Sequence, residues 1–191
     1  MGYRLTTTVA GGVLWLAAAA AMAQQAAAPA ALAPLAVPNP IYTTLLLEMP
    51  VNRPAQAVWA RVGKFCDIGE WLGTSCAIAS GVDGQLGAVR RLGSNGLIEM
   101  LVAKTDLSYT YTQPVRVGVP FNAYHGTLEV APVTASTSKL VYSFFYDTSS
   151  LVDDAARATE AANRRNRFTA ALQNMKILAE GGTLPTPPPA R

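Results

Sequence analysis

The sequence predicts an α+β domain in which a curved antiparallel β-sheet wraps around one long C-terminal helix. Three observations carry this. From Gln85 to Asp147 the chain runs as successive segments with period-2 alternation. Asn95-Gly96 falls between two of them as a strong hairpin signal, since a type I′ turn needs positive φ at both central residues. From Leu151 to Glu180 the pattern turns abruptly helical. A curved sheet gripping a helix encloses an apolar cavity, so this order of elements already points toward small-molecule binding.

The chain has 191 residues, enough for one domain with a core. Its first 23 residues read as a signal peptide: Arg4 is the positive start, Val9 to Ala20 is apolar, and Ala21-Met22-Ala23 fits the small-x-small cleavage rule. An uncleaved anchoring helix is the alternative, although the run is short for a membrane span. Cleavage after Ala23 implies a periplasmic or secreted protein whose mature chain has no integral membrane span. Residues 24–40 form an uncharged Ala/Pro linker. Residues 181–191 end in a Pro-rich tail unsuited to packing. The folded domain is thus 41–180. Loss of Arg4 lowers the formal net charge from +3 to +2, too little to indicate a nucleic-acid partner.

Ile41 to Met49 suits a first strand, stopped by Asn52-Arg53-Pro54. Ala55 to Phe65 is helical by the spacing of Val58, Trp59, Val62 and Phe65, and Ile68 to Leu72 forms a second short helix. Cys66 and Cys76 flank that turn. In an oxidising compartment two thiols pair more often than they stay free, and two buried inert cysteines are the other reading. Strands are expected over Ser75–Ser80, Gln85–Leu92, Leu97–Lys104, Leu107–Thr112, Ala123–Val130 and Lys139–Asp147. Asp153 or Asp154 then places acidic charge at the N-terminus of the long helix, with Lys176 near its far end.

Alternation assigns faces. Leu140, Tyr142, Phe144 and Tyr146 share the apolar side of the last strand. Tyr124, Gly126, Leu128 and Val130 share one side of the strand before it, with His125 on the other. Tyr109 and Tyr111 point inward by the same test. A two-residue turn at Asn95-Gly96 sets Leu92 opposite Glu99 and Arg90 opposite Leu101, making Arg90 and Glu99 a diagonal pair. On the long helix Phe168, Leu172, Met175 and Ala179 form a stripe, and Ala155, Ala158, Ala161 and Ala162 keep its first half thin. Arg164-Arg165-x-Arg167 reads as a solvated face.

These residues resemble the START-like, or SRPBCC, superfamily, which includes polyketide cyclase-like proteins, the birch-pollen-allergen fold and plant abscisic-acid receptors. The resemblance rests on Val51-x-x-Pro-x-x-x-Val-Trp59, Gly87-x-Val-Arg90-Arg91, Ile98-Glu99-x-Leu101, Leu107-Ser-Tyr-Thr-Tyr111 and Pro120-x-x-x-Tyr124. It implies a helix-grip fold with a deep apolar cavity. Carried over, the receptors' polar ligand contacts fall on Glu99 and Tyr124, their gate on Gly93 to Gly96, and their second mouth loop on Pro114 to Phe121. The position resembling the receptors' ligand-pairing lysine is Thr74 here, which departs from a carboxylate held by a salt bridge.

The expected ligand is a small hydrophobic molecule, a lipid, sterol-like or aromatic compound. Glu99 and Tyr124 act as its polar contacts, and Tyr109, Tyr111, Tyr142, Phe144, Arg90, Leu92, Phe168 and Leu172 surround it. A buried Glu99 has two readings: a structural ion pair with Arg90, or a polar anchor for ligand. The inward tyrosines are likewise packed rings or pocket walls. Metal binding is unsupported, because His125 is the single histidine and lies far from both cysteines. No nucleophile motif and no Gly-rich phosphate loop is present, so neither a cofactor nor a catalytic residue is assigned. Three functions compete: an exported binding protein, a cyclase or isomerase using Glu99 and a tyrosine, and an accessory protein acting through its surface. The lack of a cavity histidine favours the first over the second.

Overall fold

The first strand, β1 (Tyr42–Val51), is stopped by the segment leading to Pro54, whose carbonyl caps α1 (Ala55–Val62) by accepting from Val58 N–H at 3.1 Å. A 3₁₀ turn over Phe65–Asp67 leads into the single turn of α2 (Ile68–Trp71). The remaining strands are β2 (Cys76–Ser80), β3 (Val89–Leu92), β4 (Leu97–Lys104), β5 (Ser108–Thr112), β6 (Asn122–Pro132) and β7 (Ser138–Asp147). The 26-residue α3 (Asp154–Ala179) follows, capped by Asp153, whose carboxylate accepts from Ala156 N–H at 2.7 Å. This computed structural model describes residues 39–114 and 121–185, together with Gly2. The expected leader, the linker as far as 38, residues 115–120 of the second mouth loop and the tail beyond 185 lie outside the described residues.

The seven strands form one antiparallel sheet in the order β1-β7-β6-β5-β4-β3-β2. Strands β2 to β7 meander, while α1 and α2 carry the chain from one sheet edge to the other. Register shifts at Ile78/Ser80, Leu101/Ala103 and Asn122/His125 add the bulges that bend such a sheet. The long helix packs into the curve, giving the expected helix-grip fold. Leu140, Tyr142, Phe144 and Tyr146 of β7 are buried, facing Phe168, Leu172 and Met175 of α3. Gly126 is what lets the sheet hold so many rings: a Cβ there would lie 2.4 Å from the Tyr111 ring. Cys66 and Cys76 are joined, with their Cα atoms 5.6 Å apart, which ties the 3₁₀ turn to the start of β2.

Three expectations are corrected. The strand expected from Gln85 starts only at Val89, because Gly84 and Gly87 take φ of +73° and +80° in a turn before it. The β3–β4 loop has four residues, not two: Leu92 pairs with Leu97, and Gly93 and Gly96 both adopt positive φ, +62° and +64°. Gly93 thus shares the turn with Gly96, and the shift sets Arg90 directly opposite Glu99. Finally, the first half of α3 is not a thin alanine surface. Ala155, Ala158 and Ala162 are exposed, and Glu160, Ala161 and Arg164 turn partly inward. Counting back from Phe168 by four and by seven gives Arg164 and Ala161, so the stripe continues through an arginine.

Candidate functional site

Two arginines build the site, a fully buried one on the sheet and a half-buried one on the helix. Arg90 and Glu99, both inward on adjacent strands, are 0 % and 2 % exposed. Arg90 Nε and Nη2 donate to Glu99 Oε2 at 2.8 and 2.6 Å, and Nη1 donates to the Phe65 carbonyl. The guanidinium lies 3.9 Å from the Phe65 ring centre and 4.8 Å from that of Tyr111, close enough for cation–π attraction. Burial opposes its charge, but the surrounding tyrosine oxygens and Glu99 outweigh burial and hold Arg90 above its ordinary pKa. Glu99 Oε1 accepts from Gln113 Nε2 at 3.0 Å. Both carboxylate oxygens are therefore engaged.

The second arginine is Arg164. Its Nη1 donates to Tyr124 Oη at 2.7 Å, while Nε and Nη2 donate to Glu160 Oε1 at 2.8 and 2.5 Å. Tyr146 donates its hydroxyl to Glu160 Oε2. Rings enclose the guanidinium, with the Tyr146 and Tyr124 centres 4.5 and 5.0 Å away. Burial pushes the Tyr124 hydroxyl up to about 12, against the opposing pull of the Arg164 cation, so Tyr124 keeps its proton at neutral pH. Ala123 beside it takes φ of +50° at the β6 register shift, a conformation that costs a residue with a Cβ about 1–2 kcal/mol.

Between the two arginines lies a cavity of about 140 Å³. Its apolar wall is Leu92, Leu97, Ile68, Leu72 and Phe168. Glu99, Gln113, Tyr111 and Tyr124 line the sheet side, and Thr74, Gly93, Asn95, Arg164 and Arg167 complete the lining. Of the residues assigned to ligand from the sequence, Glu99, Tyr124, Tyr111, Leu92 and Phe168 line this space. Arg90, Tyr142, Phe144 and Leu172 do not; they belong to the core behind it. Tyr142 shares a 3.0 Å hydroxyl contact with Tyr111 and stacks on Phe144. Tyr109 lines a separate cavity of about 390 Å³ with Trp59 and Leu101. The space is thus smaller and more polar than a deep apolar cavity, because Arg90 with its ring shell fills the sheet side and Arg164 fills the helix side.

Arg164 departs from the solvated face expected of the Arg164-Arg165-x-Arg167 run, and sequence reasoning misses it. Its phase with Phe168 and Leu172 was the available signal, and Glu160 four residues earlier marked the ion pair. Among the described residues no cluster of His, Cys, Asp and Glu has the geometry to hold a metal ion. His125 lies on the face opposite Tyr124, its Nδ1 2.9 Å from the Ala123 carbonyl oxygen. No helix among the described residues is long and apolar enough to cross a membrane.

A seven-stranded sheet gripping a C-terminal helix over such a cavity defines a protein of the SRPBCC, or START-like, superfamily. Within it the chain belongs to the family described as polyketide cyclase / dehydrase and lipid transport, whose model matches residues 44–180. No curated protein sequence matches the chain. Among solved structures, a Thermobifida fusca protein determined by solution NMR is 25 % identical, with a TM-score of 0.59 over 74 % of this chain and 97 % of its own. The Zhui aromatase/cyclase from Streptomyces sp. R1128 is 20 % identical, with a TM-score of 0.55 over 75 % of this chain and 100 % of its own. Truncated norcoclaurine synthase from Thalictrum flavum is 14 % identical, with a TM-score of 0.56 over 75 % of this chain and 97 % of its own. The last two likenesses are of fold alone.

Proposed function

We propose that the protein binds a small hydrophobic molecule, about the size of one aromatic ring, between the sheet and α3 and does not turn it over. The observation that carries this is the 140 Å³ cavity, apolar on the side of Leu92, Leu97 and Phe168 and polar where Tyr124 and Arg164 meet. An apolar cavity of about 150 Å³ accommodates benzene, so a single ring fits where a sterol or an acyl chain does not. Against a cyclase or isomerase stands Glu99: a carboxylate clamped by Arg90 and Gln113 is not placed to relay a proton. Action outside the cytoplasm is part of the proposal, supported by the leader pattern and by a disulfide of the kind that persists in oxidising compartments.

Calorimetry with benzyl alcohol, a neutral ring carrying one hydroxyl, tests the reading. Saturable one-to-one binding is expected. Tyr124→Phe should weaken it by roughly 0.5–1.5 kcal/mol, the net worth of a hydrogen bond, while His125→Ala on the other face should bind as wild type. Absence of saturation, or equal affinity in all three proteins, would overturn the assignment.

A further inference from the structure

The charges around the cavity do not balance. Arg90 is neutralised by Glu99, and Arg164 by Glu160. Arg167 also lines the cavity, yet it has no hydrogen-bond or ion-pair partner among the described residues. It sits three residues beyond Arg164 and one before Phe168, on the solvent-side flank of the α3 face that lines the cavity. Arg167 is exposed whereas Phe168 is buried, so the unbalanced cation stands on the solvent side and the apolar wall lies deeper.

From this arrangement we infer that the ligand is an anion: a single-ring aromatic or comparably compact carboxylate, bound with its ring inward and its carboxylate outward against Arg167. The inference rests on the proposed binding function and adds charge and orientation to it. The inward end repels a carboxylate, since Glu99 already presents an oxygen there and its counter-charge lies on the far side, within the core. The outer end attracts one. A planar guanidinium offers paired N–H donors that match the two oxygens of a carboxylate. Thr74 and Asn95 line the same cavity and add polar residues to it.

Benzoate and benzyl alcohol share a ring and differ in charge, so comparing them by calorimetry tests the inference on the intact chain. Benzoate is expected to bind roughly tenfold or more tightly at low ionic strength, on the scale of a charge-assisted hydrogen bond. That preference should shrink as salt is raised, because Arg167 is open to solvent. Arg167→Gln should abolish most of the preference for benzoate over benzyl alcohol, and Arg167→Lys should keep part of it. An exposed side chain without partners can be replaced with little effect on folding, and an unchanged thermal midpoint verifies that. Benzyl alcohol binding with benzoate no tighter, or a preference that survives Arg167→Gln, overturns the anion assignment and leaves the binding function standing. If neither compound binds, both fall.

Discussion

Glu99→Gln is expected to destabilise the protein by roughly 3–5 kcal/mol, the usual cost of leaving a buried ion without its partner. The change keeps the shape of the side chain and removes its charge. Arg90, fully buried, then retains the Phe65 carbonyl and the faces of Phe65 and Tyr111 but loses its counter-ion. Water does not touch the guanidinium, which is fully buried. Urea unfolding reads the effect as a fall in midpoint at unchanged slope. Replacing both partners with apolar residues, Arg90→Met with Glu99→Leu, should recover much of the loss, since a buried pair contributes less than either of its members costs when stranded. A Glu99→Gln protein as stable as wild type would show that the carboxylate does not hold Arg90 in place.

Loss of the Cys66–Cys76 disulfide is the second large effect. Converting both cysteines to serine should cost roughly 2–4 kcal/mol through the freedom regained by the unfolded chain. Binding should fall as well. The bridge pins the 3₁₀ turn that runs into α2, and α2 brings Ile68 to the cavity wall, with Leu72 just past its end. Beyond the β2–β3 pairing, this short loop is tied across the fold by Arg90 Nη1 donating to the Phe65 carbonyl, the Gly93 N–H to the Ser75 carbonyl at 3.0 Å and the Asn174 side chain to the Trp71 carbonyl at 3.0 Å. The double variant should therefore bind benzyl alcohol more weakly than Tyr124→Phe does, even at temperatures where it is fully folded. Wild-type affinity in the folded double variant would mean that packing alone positions α2.

The strands and the long helix were legible because period-2 alternation and a helical stripe each continue over many residues. Tyr142, Phe144 and Tyr146 point inward for that reason. Register was harder. Both Asn95-Gly96 and Gly93 carry turn chemistry, and sequence alone does not say that Gly93 also takes positive φ, so a two-residue turn makes the direct Arg90–Glu99 pair look diagonal. The contents of the cavity were least legible. An arginine run on a helix ordinarily faces water, and Arg165 and Arg167 do. Arg164 is drawn in because Tyr124, Tyr146 and Glu160 together offset its desolvation, and the two tyrosines come from strands distant from it in sequence.

The location of binding is the most direct test of the central claim, because a second and larger cavity lies between α1 and the β4–β5 hairpin. A ¹⁵N-labelled sample of the intact chain can be titrated with benzyl alcohol and followed amide by amide. Saturable shifts are expected at Leu92, Leu97, Gln113, Tyr124 and Phe168, which surround the 140 Å³ cavity. Shifts confined to Gly63, Lys104 and Tyr109, around the other cavity, would contradict the assignment.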